Sequence, residues 1–558
     1  MVKRALIVSN LYPPSVTGGA ELVAFSQAKG LAARGLDVAV LAGAFLGDRE
    51  AGSIDVDETD GVLVYRVPLI STAYEDFHRP AIGRYLKSLI GVHRPEVVHF
   101  HNLTGLGTNL IPVAKDTGVR TIVTLHDHWG FCFKNILLRN DWRRCTNSEE
   151  CALCQPSIRT ENGYLVPMRL RRDYVAWCLN QADVLVSPSR YLACAYGAAG
   201  FAGRRIETIS YGVNLARVQA ETKGPSSQIR FVCFAYLGEH KGMPTLFDAA
   251  ERLASDRTVA GRWKLAIAGP GPLAEKLRAD IASGRYGSAV HYEGRLPHDH
   301  AIELMNASDV VILPSIWPEN EPLSLLEAIA SGTAQMASRI GGNVELVEDE
   351  KSGLLFEPGD ASDLESKMRR YVAEPELALR HGAWNKDRRL DFDEDRTLAR
   401  LQALYSETIR APGIDEHVVI CAGETASKEM DFLIHRFHII EEGRFRVRFI
   451  WDGWADSIIW RQAKLLWLWD TANSEPNLAR ALKQGLPVLA PANSFAAYLA
   501  GRCSTVVTYG TYLEALGALA AIIDAPISLS GHRSRALAHL LDTLARPEVF
   551  HLSIERTV

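Results

Sequence analysis

Strand-sized apolar runs alternate with helical spans along most of this chain, and that rhythm restricts its fold more than any single residue does. Runs at Ala5–Asn10, Asp37–Ala42, Val97–His101, Thr121–His126 and Val184–Pro188 are separated by amphipathic stretches such as Glu21–Arg34. The alternation predicts an α/β fold with parallel sheets, because a helix carries the chain back to begin each parallel strand. The rhythm restarts at Ile229–Tyr236 and continues through Lys264–Ala268, Val290–Glu293, Val310–Pro314 and Ala334–Ser338. It restarts once more at His417–Gly423, followed by Phe445–Trp451, Lys464–Trp469, Pro487–Pro491 and Ser504–Tyr509. We therefore expect Rossmann-like units over residues 1–205, 206–410 and 415–558, with 203–228 joining the first two. Two facing units leave a cleft at the carboxyl ends of their strands, which is where such folds bind ligands.

Length and charge narrow the function. A chain of 558 residues is too long for one core, and 47% hydrophobic with 23% charged residues supports ordinary globular domains. A net charge of −5 disfavours nucleic acid as the main partner. No apolar run reaches the ~18 residues of a membrane helix. The opening Met1–Asn10 is charged and then strand-like, without the small-residue cleavage site of a signal peptide, so we expect a cytoplasmic protein.

The densest chemistry lies in Trp317-Pro-Glu-Asn-Glu-Pro-Leu-Ser-Leu-Leu-Glu327. It follows an apolar run, Asp309–Ser315, and launches a helix that Gly332 is placed to stop. Pro322 suits the first helical position, where its missing N–H is no loss. The free N–H groups around Leu323 and Ser324 then form a site for a phosphate or pyrophosphate. Glu319 and Glu327, on either side of it, are suited to sugar hydroxyls, one on a ribose and one on a transferable hexose. Near the first strand end, Gly18 and Gly19 open another helix and let a backbone approach a ligand closely.

These segments resemble the family-4 glycosyltransferases of the GT-B fold, whose retaining members carry a Glu-x7-Glu motif. Ser338–Glu345 and Ser352–Asp360 resemble the family's next segment, and the resemblance covers residues 1–410 in the expected order. It implies a nucleotide-sugar donor bound mainly to 206–390, an acceptor glycan or lipid-linked sugar bound to 1–205, and no catalytic metal. Asp393–Ile409 would be the helix that crosses back to the first half. Glu319 would orient the donor sugar and His126 would stabilise the transition state. Lys241, in Phe234–Gly242, would reach the pyrophosphate with Gly18 and Gly19, while Arg295 and Leu296 would hold the nucleobase. The sequence departs from the pattern at Tyr236, where the family has an arginine. The same architecture also serves nucleotide-sugar epimerases, and a non-catalytic sugar-nucleotide-binding scaffold is the other alternative. Cell-surface polysaccharide synthesis is the default setting of such proteins.

Three further features stay open at this level. Cys132, Cys145, Cys151 and Cys154 cluster within one loop, either as ligands of a structural zinc (or an iron–sulfur cluster) or as buried thiols. His99, His101, His126 and His128 sit at two strand ends, as a metal site or as polar cleft residues. The basic, amphipathic segments Met168–Trp177 and Arg79–Lys87 either touch an anionic membrane or present a solvated face. Residues Asp470–Ala490 echo Trp317–Ala337 without the second glutamate, whose place falls on Arg480 or Ala481. The third unit therefore reads as degenerate, suited to oligomerisation, acceptor recruitment or partner docking.

Overall fold

The computed structural model describes residues 2–45, 54–69, 77–146, 148–159, 165–201, 205–218, 224, 226–407, 417–422, 434, 447–468, 475–484, 486–491, 506–509, 515, 518, 519 and 522. Its first sheet is built from β1 (Arg4–Ser9), β2 (Asp37–Ala44), β3 (Asp55–Thr59), β4 (Val62–Pro68), β5 (Val97–Phe100), β6 (Arg120–Thr124), β9 (Val184–Ser187) and β10 (Ile206–Thr208). The strand order is β10-β9-β6-β5-β1-β2-β4-β3. All pairings are parallel except β3 with β4. Ala5, Leu6, Ile7 and Val8 of β1 are all buried, as a central parallel strand covered on both faces requires. The two strands between β6 and β9, β7 (Ser157–Arg159) and β8 (Leu165–Pro167), form a separate antiparallel pair.

The second sheet contains β11 (Ile229–Phe234), β12 (Trp263–Ala268), β13 (Val290–Gly294), β14 (Val310–Leu313), β15 (Ala334–Ser338) and β16 (Gly353–Phe356). It is parallel, in the order β13-β12-β11-β14-β15-β16. Helix Glu394–Ser406 then returns to the first half, where Leu398, Leu401, Leu404 and Tyr405 join the core under β1 and β2. Asp393 caps it by accepting the Asp395 N–H, and the Tyr405 hydroxyl meets His99 Nδ1 at 2.7 Å.

A third parallel sheet holds β17 (His417–Ala422), β18 (Val447–Trp451), β19 (Ala463–Leu468), β20 (Val488–Pro491) and β21 (Val506–Tyr509), in the order β18-β17-β19-β20-β21. It shares one apolar core with the first half. The junction is helix Met168–Asn180, in which every residue but Arg169 is buried. Trp177 Nε1 donates to Gln462 Oε1 at 3.1 Å, and the Phe449 N–H donates to Asp173 Oδ2 at 3.1 Å. Trp454 packs edge-on against Phe77, with ring centroids 4.8 Å apart.

This corrects the reading of Met168–Trp177 as a solvated or membrane-touching face. Its arginines are basic because they serve a buried junction: Arg171 stacks on Phe77 and Phe133, while Arg169 and Arg448 both flank the Asp173 carboxylate. Helix Pro80–His93 does keep an outer face, with Arg84 and Lys87 exposed and Ile82, Leu86 and Leu89 buried. Among the described residues no helix is long and apolar enough to cross a membrane.

Candidate functional site

A cleft of about 940 Å³ separates the first two sheets, lined from both sides at the carboxyl ends of their strands. Glu319 lies in the turn leaving β14. The loop after β15 presses on that turn through two glycines. Gly341 has φ 59, and a Cβ at Gly342 would lie 1.7 Å from the Asn320 carbonyl oxygen, so neither position admits a side chain without rearrangement. The Gly342 N–H donates to the Glu319 carbonyl at 2.6 Å, which fixes the turn. One oxygen of Glu319, Oε1, accepts from Lys241 Nζ (2.7 Å), Ser315 Oγ (2.5 Å) and Trp317 Nε1 (2.8 Å). Lys241 also lies over the Trp317 ring at 4.7 Å. The carboxylate is thereby held rigid by one oxygen, with its other edge left for the cleft.

Helix Leu323–Ser331 starts directly after this turn, with Pro322 as its N-cap rather than its first residue. Leu325, Leu326 and Ile329 anchor it, and Gly332 ends it in the left-handed region at φ 70. Its free N–H end faces the Gly18–Gly19 loop: a Cβ added at Gly19 would be 3.4 Å from Leu323 Cδ1. On the loop side, the Glu21 carboxylate accepts the Gly18 N–H at 2.7 Å. Glu327, one turn into the helix, meets His298 Nε2 at 2.7 Å, and this contact raises the histidine's pKa. Arg295 and Leu296 complete the same side of the cleft, so all ten residues singled out for catalysis or donor binding line one cavity.

His126 is held from both sides of its ring. Its Nε2 lies 3.0 Å from His101 Nδ1 and its Nδ1 2.9 Å from the Tyr211 hydroxyl, so both ring nitrogens are occupied. Burial pushes its pKa down to about 3, which keeps the ring neutral. Its carbonyl accepts from Asn320 Nδ2 at 2.7 Å, a direct tie between the two halves. His128 is diverted elsewhere, between the Asn135 carbonyl and the Tyr191 hydroxyl. The four histidines thus form a polar stack and its neighbour, without a ligand set.

In the cysteine loop the arrangement is that of partly enclosed thiols. Among the described residues, no three His, Cys, Asp or Glu side chains are arranged to hold a metal ion. Cys151 Sγ donates to the Phe131 carbonyl, and burial lifts its thiol to about 11. Burial also raises Cys132, as for a thiol held away from water. Cys145 and Cys154 lie half-buried beside them.

Sequence reasoning missed several lining residues. Glu321 is buried at the cleft wall, with Oε2 accepting the Tyr211 N–H at 2.6 Å, and burial raises its carboxyl to about 8. Asp127, Asn320, Tyr211 and His298 also reach the cleft. Glu321 and Asp127 sit within motifs already singled out, beside Glu319 and between His126 and His128, so their positions were the available signal.

Residues 17–217 match the family model described as Glycosyltransferase Family 4, and residues 216–388 match the one described as Glycosyl transferases group 1. Together they tile both walls of the cleft. The chain belongs to the family-4 glycosyltransferases. This glycosyltransferase is 27% identical over 419 residues to a glycogen synthase of Mycobacterium tuberculosis, covering 70% of the chain and 91% of that protein. It is 28% identical over 194 residues to the putative colanic acid biosynthesis glycosyltransferase WcaL of Escherichia coli, covering 34% of the chain and 47% of WcaL, about half that relative's length. Among solved structures, sucrose-phosphate synthase from Thermosynechococcus elongatus has a TM-score of 0.56 at 19% identity, covering 72% of the chain and 98% of its own. HepE of Anabaena, in complex with UDP, has a TM-score of 0.52 at 18% identity, covering 72% and 99%. These likenesses establish the GT-B fold for the first two sheets, and neither family model reaches past residue 388.

Proposed function

We propose that this glycosyltransferase moves a sugar from a nucleotide-sugar to a hydroxyl of a glycan or lipid-linked acceptor, with retention of configuration, in the synthesis of a cell-surface polysaccharide. The observation that carries the reading is the Glu319 carboxylate, locked by Lys241, Ser315 and Trp317 directly before a helix whose free N–H end opens into the cleft. Such an end attracts a pyrophosphate, and the Lys241 ammonium adds charge where the leaving group develops its own. Gly18 and Gly19 close the pyrophosphate from the opposite wall. In this reading Glu319 orients the transferred sugar through its open edge, and Glu327, held by His298, takes the ribose hydroxyls. Arg295 and Leu296 flank the base. His126 keeps its place beside the sugar as a neutral, positioned ring whose nitrogens are held by His101 and Tyr211, since burial holds its pKa down to about 3.

The acceptor hydroxyl then attacks from the face the nucleotide leaves, and its proton passes to the departing phosphate. No step needs a metal, because helix dipole and lysine stabilise the leaving charge. The polysaccharide setting is supported by the names of relatives, WcaL and the amylovoran biosynthesis glycosyltransferase AmsK of Erwinia amylovora, and the nucleotide-sugar donor by the UDP held in HepE. We assign donor binding to residues 206–410, acceptor binding to 1–205 and an accessory role to 415–558.

Calorimetry with UDP, GDP and ADP, free and as sugar conjugates, tests the donor side, with Glu327→Ala as the control. Selective binding that weakens in the variant is expected. Binding of none of them overturns the donor reading, binding without turnover returns the protein to the scaffold reading, and sugar isomerisation without transfer returns it to the epimerase.

A further inference from the structure

The two walls of the cleft differ in charge. The lysine and arginine of its described lining, Lys241 and Arg295, both stand on the second half among Glu319, Glu321 and Glu327, whereas the first half contributes two acids, Glu21 and Asp127, and neither lysine nor arginine to that lining. A pyrophosphate is therefore neutralised on one side only, and a molecule resting against the other side meets carboxylates. Glu21 is already engaged with the Gly18 N–H. Asp127 is held in place but left open. Its carbonyl accepts from the Tyr196 hydroxyl at 3.0 Å and its Oδ1 from the Trp129 N–H at 2.8 Å, while Oδ2 makes no hydrogen bond among the described residues. The neighbouring His126 has no ring nitrogen to offer, since His101 and Tyr211 take both.

We propose that Asp127 positions the acceptor, its open carboxylate oxygen taking the attacking hydroxyl of an uncharged sugar. The inference rests on the glycosyltransferase reading of the cleft and adds the acceptor's chemical class to it. A phosphorylated sugar is disfavoured there, because a second anion would face Glu21 and Asp127 with no lysine or arginine among the described lining of that wall. Asp127 aligns the hydroxyl as hydrogen-bond acceptor, and the proton still leaves with the phosphate, so the aspartate ends each cycle as it began.

Burial lifts the Asp127 carboxyl to about 7, the Trp129 N–H opposes the rise and Glu21 adds to it. The other titratable groups around it are Tyr196 and Tyr211, whose hydroxyls burial pushes up, and the neutral His126. None of them changes charge near neutrality, so Asp127 itself sets the response. A raised acid is protonated below its pKa and then presents a donor to a donor. Alignment, and with it transfer, rises as pH passes upward through about 7.

The test compares the wild type with Asp127→Asn and Asp127→Glu in the full chain. Calorimetry with UDP, GDP and ADP reports the donor side and the folded state. Nucleotide release from the matching sugar conjugate, with water as acceptor and then with p-nitrophenyl glucoside or its 6-phosphate, reports the acceptor side from pH 5.5 to 8.5. We expect nucleotide affinity within about twofold and acceptor-dependent rate down about 10- to 100-fold in Asp127→Asn. The limb near pH 7 should vanish in that variant and return in Asp127→Glu. An unchanged limb in Asp127→Asn, in either the water or the glycoside reaction, overturns the proposal. So does a 6-phosphate that outperforms its parent, or a loss confined to nucleotide binding. A wild type that binds no nucleotide instead overturns the reading of the cleft itself.

Discussion

The second and third sheets are built on one plan and do different things. With edge strand β13 set aside, the second runs β12-β11-β14-β15-β16 and the third β18-β17-β19-β20-β21, the same order strand for strand. Helix Leu323–Ser331 between β14 and β15 has its counterpart in helix Glu475–Lys483 between β19 and β20. In the first of these, Glu327 projects into the cleft against His298. In the second, the two candidate equivalents are absorbed by packing. Ala481 is fully buried, and the Arg480 guanidinium lies over the Trp460 ring at 4.6 Å. The third sheet also gives up a face to helix Met168–Asn180, so it is continuous with the first half. The comparison teaches that the sheet order is a reusable frame, and that chemistry depends on the few side chains at the strand ends.

The largest effect should come from the junction that makes the third sheet part of the first half. Trp177→Ala removes a buried indole and its bond to Gln462, and should destabilise the protein by about 3–5 kcal/mol. Urea unfolding should show the first and third sheets losing stability together. A variant in which only one of two separate transitions moves would break the claim of a shared core.

Next in size is the site that only the second sheet retains. Lys241→Ala should lower kcat by about 10²- to 10³-fold, the usual effect of deleting one preorganised group facing a developing negative charge. Loss of Glu319's ammonium partner would also loosen that carboxylate, so the transfer rate should fall more than nucleotide affinity. Equal losses in both would reassign Lys241 to binding alone.

Glu321 sharpens the contrast through pH. Its folded carboxyl titrates at about 8 against a reference of 4.5, so the folded state keeps a proton that the unfolded state has released. Its stabilising protonation is complete below the unfolded value and is lost as pH rises toward 8. Glu321→Gln cannot ionise, and should gain stability over the wild type on the order of 1–3 kcal/mol between pH 5 and pH 8.5. Thermal melts at the two pH values check it, and parallel behaviour at both would show the carboxyl to be ionised in the fold.

The smallest effect belongs to the echo. Arg480→Ala should leave transfer within about twofold and reduce stability by about 0.5–1 kcal/mol, the loss of one cation–π contact. A marked fall in transfer would mean that the third sheet carries a working site after all.

Much of the frame was legible because parallel strands buried on both faces appear as continuous apolar runs, from Ala5–Asn10 to Ser504–Tyr509. The antiparallel pair β3 and β4 escaped notice, since Asp55–Thr59 carries three acids and is mostly exposed, which erases the strand signature. Helix Met168–Asn180 misled for the opposite reason. Its arginines mimic a solvated face, and only their stacking and their pairing around Asp173 keep them inside. The cysteine spacing suggested a ligand set, yet spacing along a loop does not say where the sulfurs are held.

The sequence by itself determined the three rounds of strand and helix, the Glu319–Glu327 motif with its helix start, and the glycines that let backbones meet. Each is written in local periodicity or in a residue type that few conformations tolerate. Only the tertiary structure decided that His126 is closed off, that Asp127 is left open beside it, and that the third sheet is fused to the first half. Those outcomes hang on contacts such as Asn320 with His126, 194 residues apart, and Trp177 with Gln462, 285 apart. Whether a polar side chain is occupied, neutral or available follows from the partners that folding brings to it from far along the chain, and burial then sets its charge.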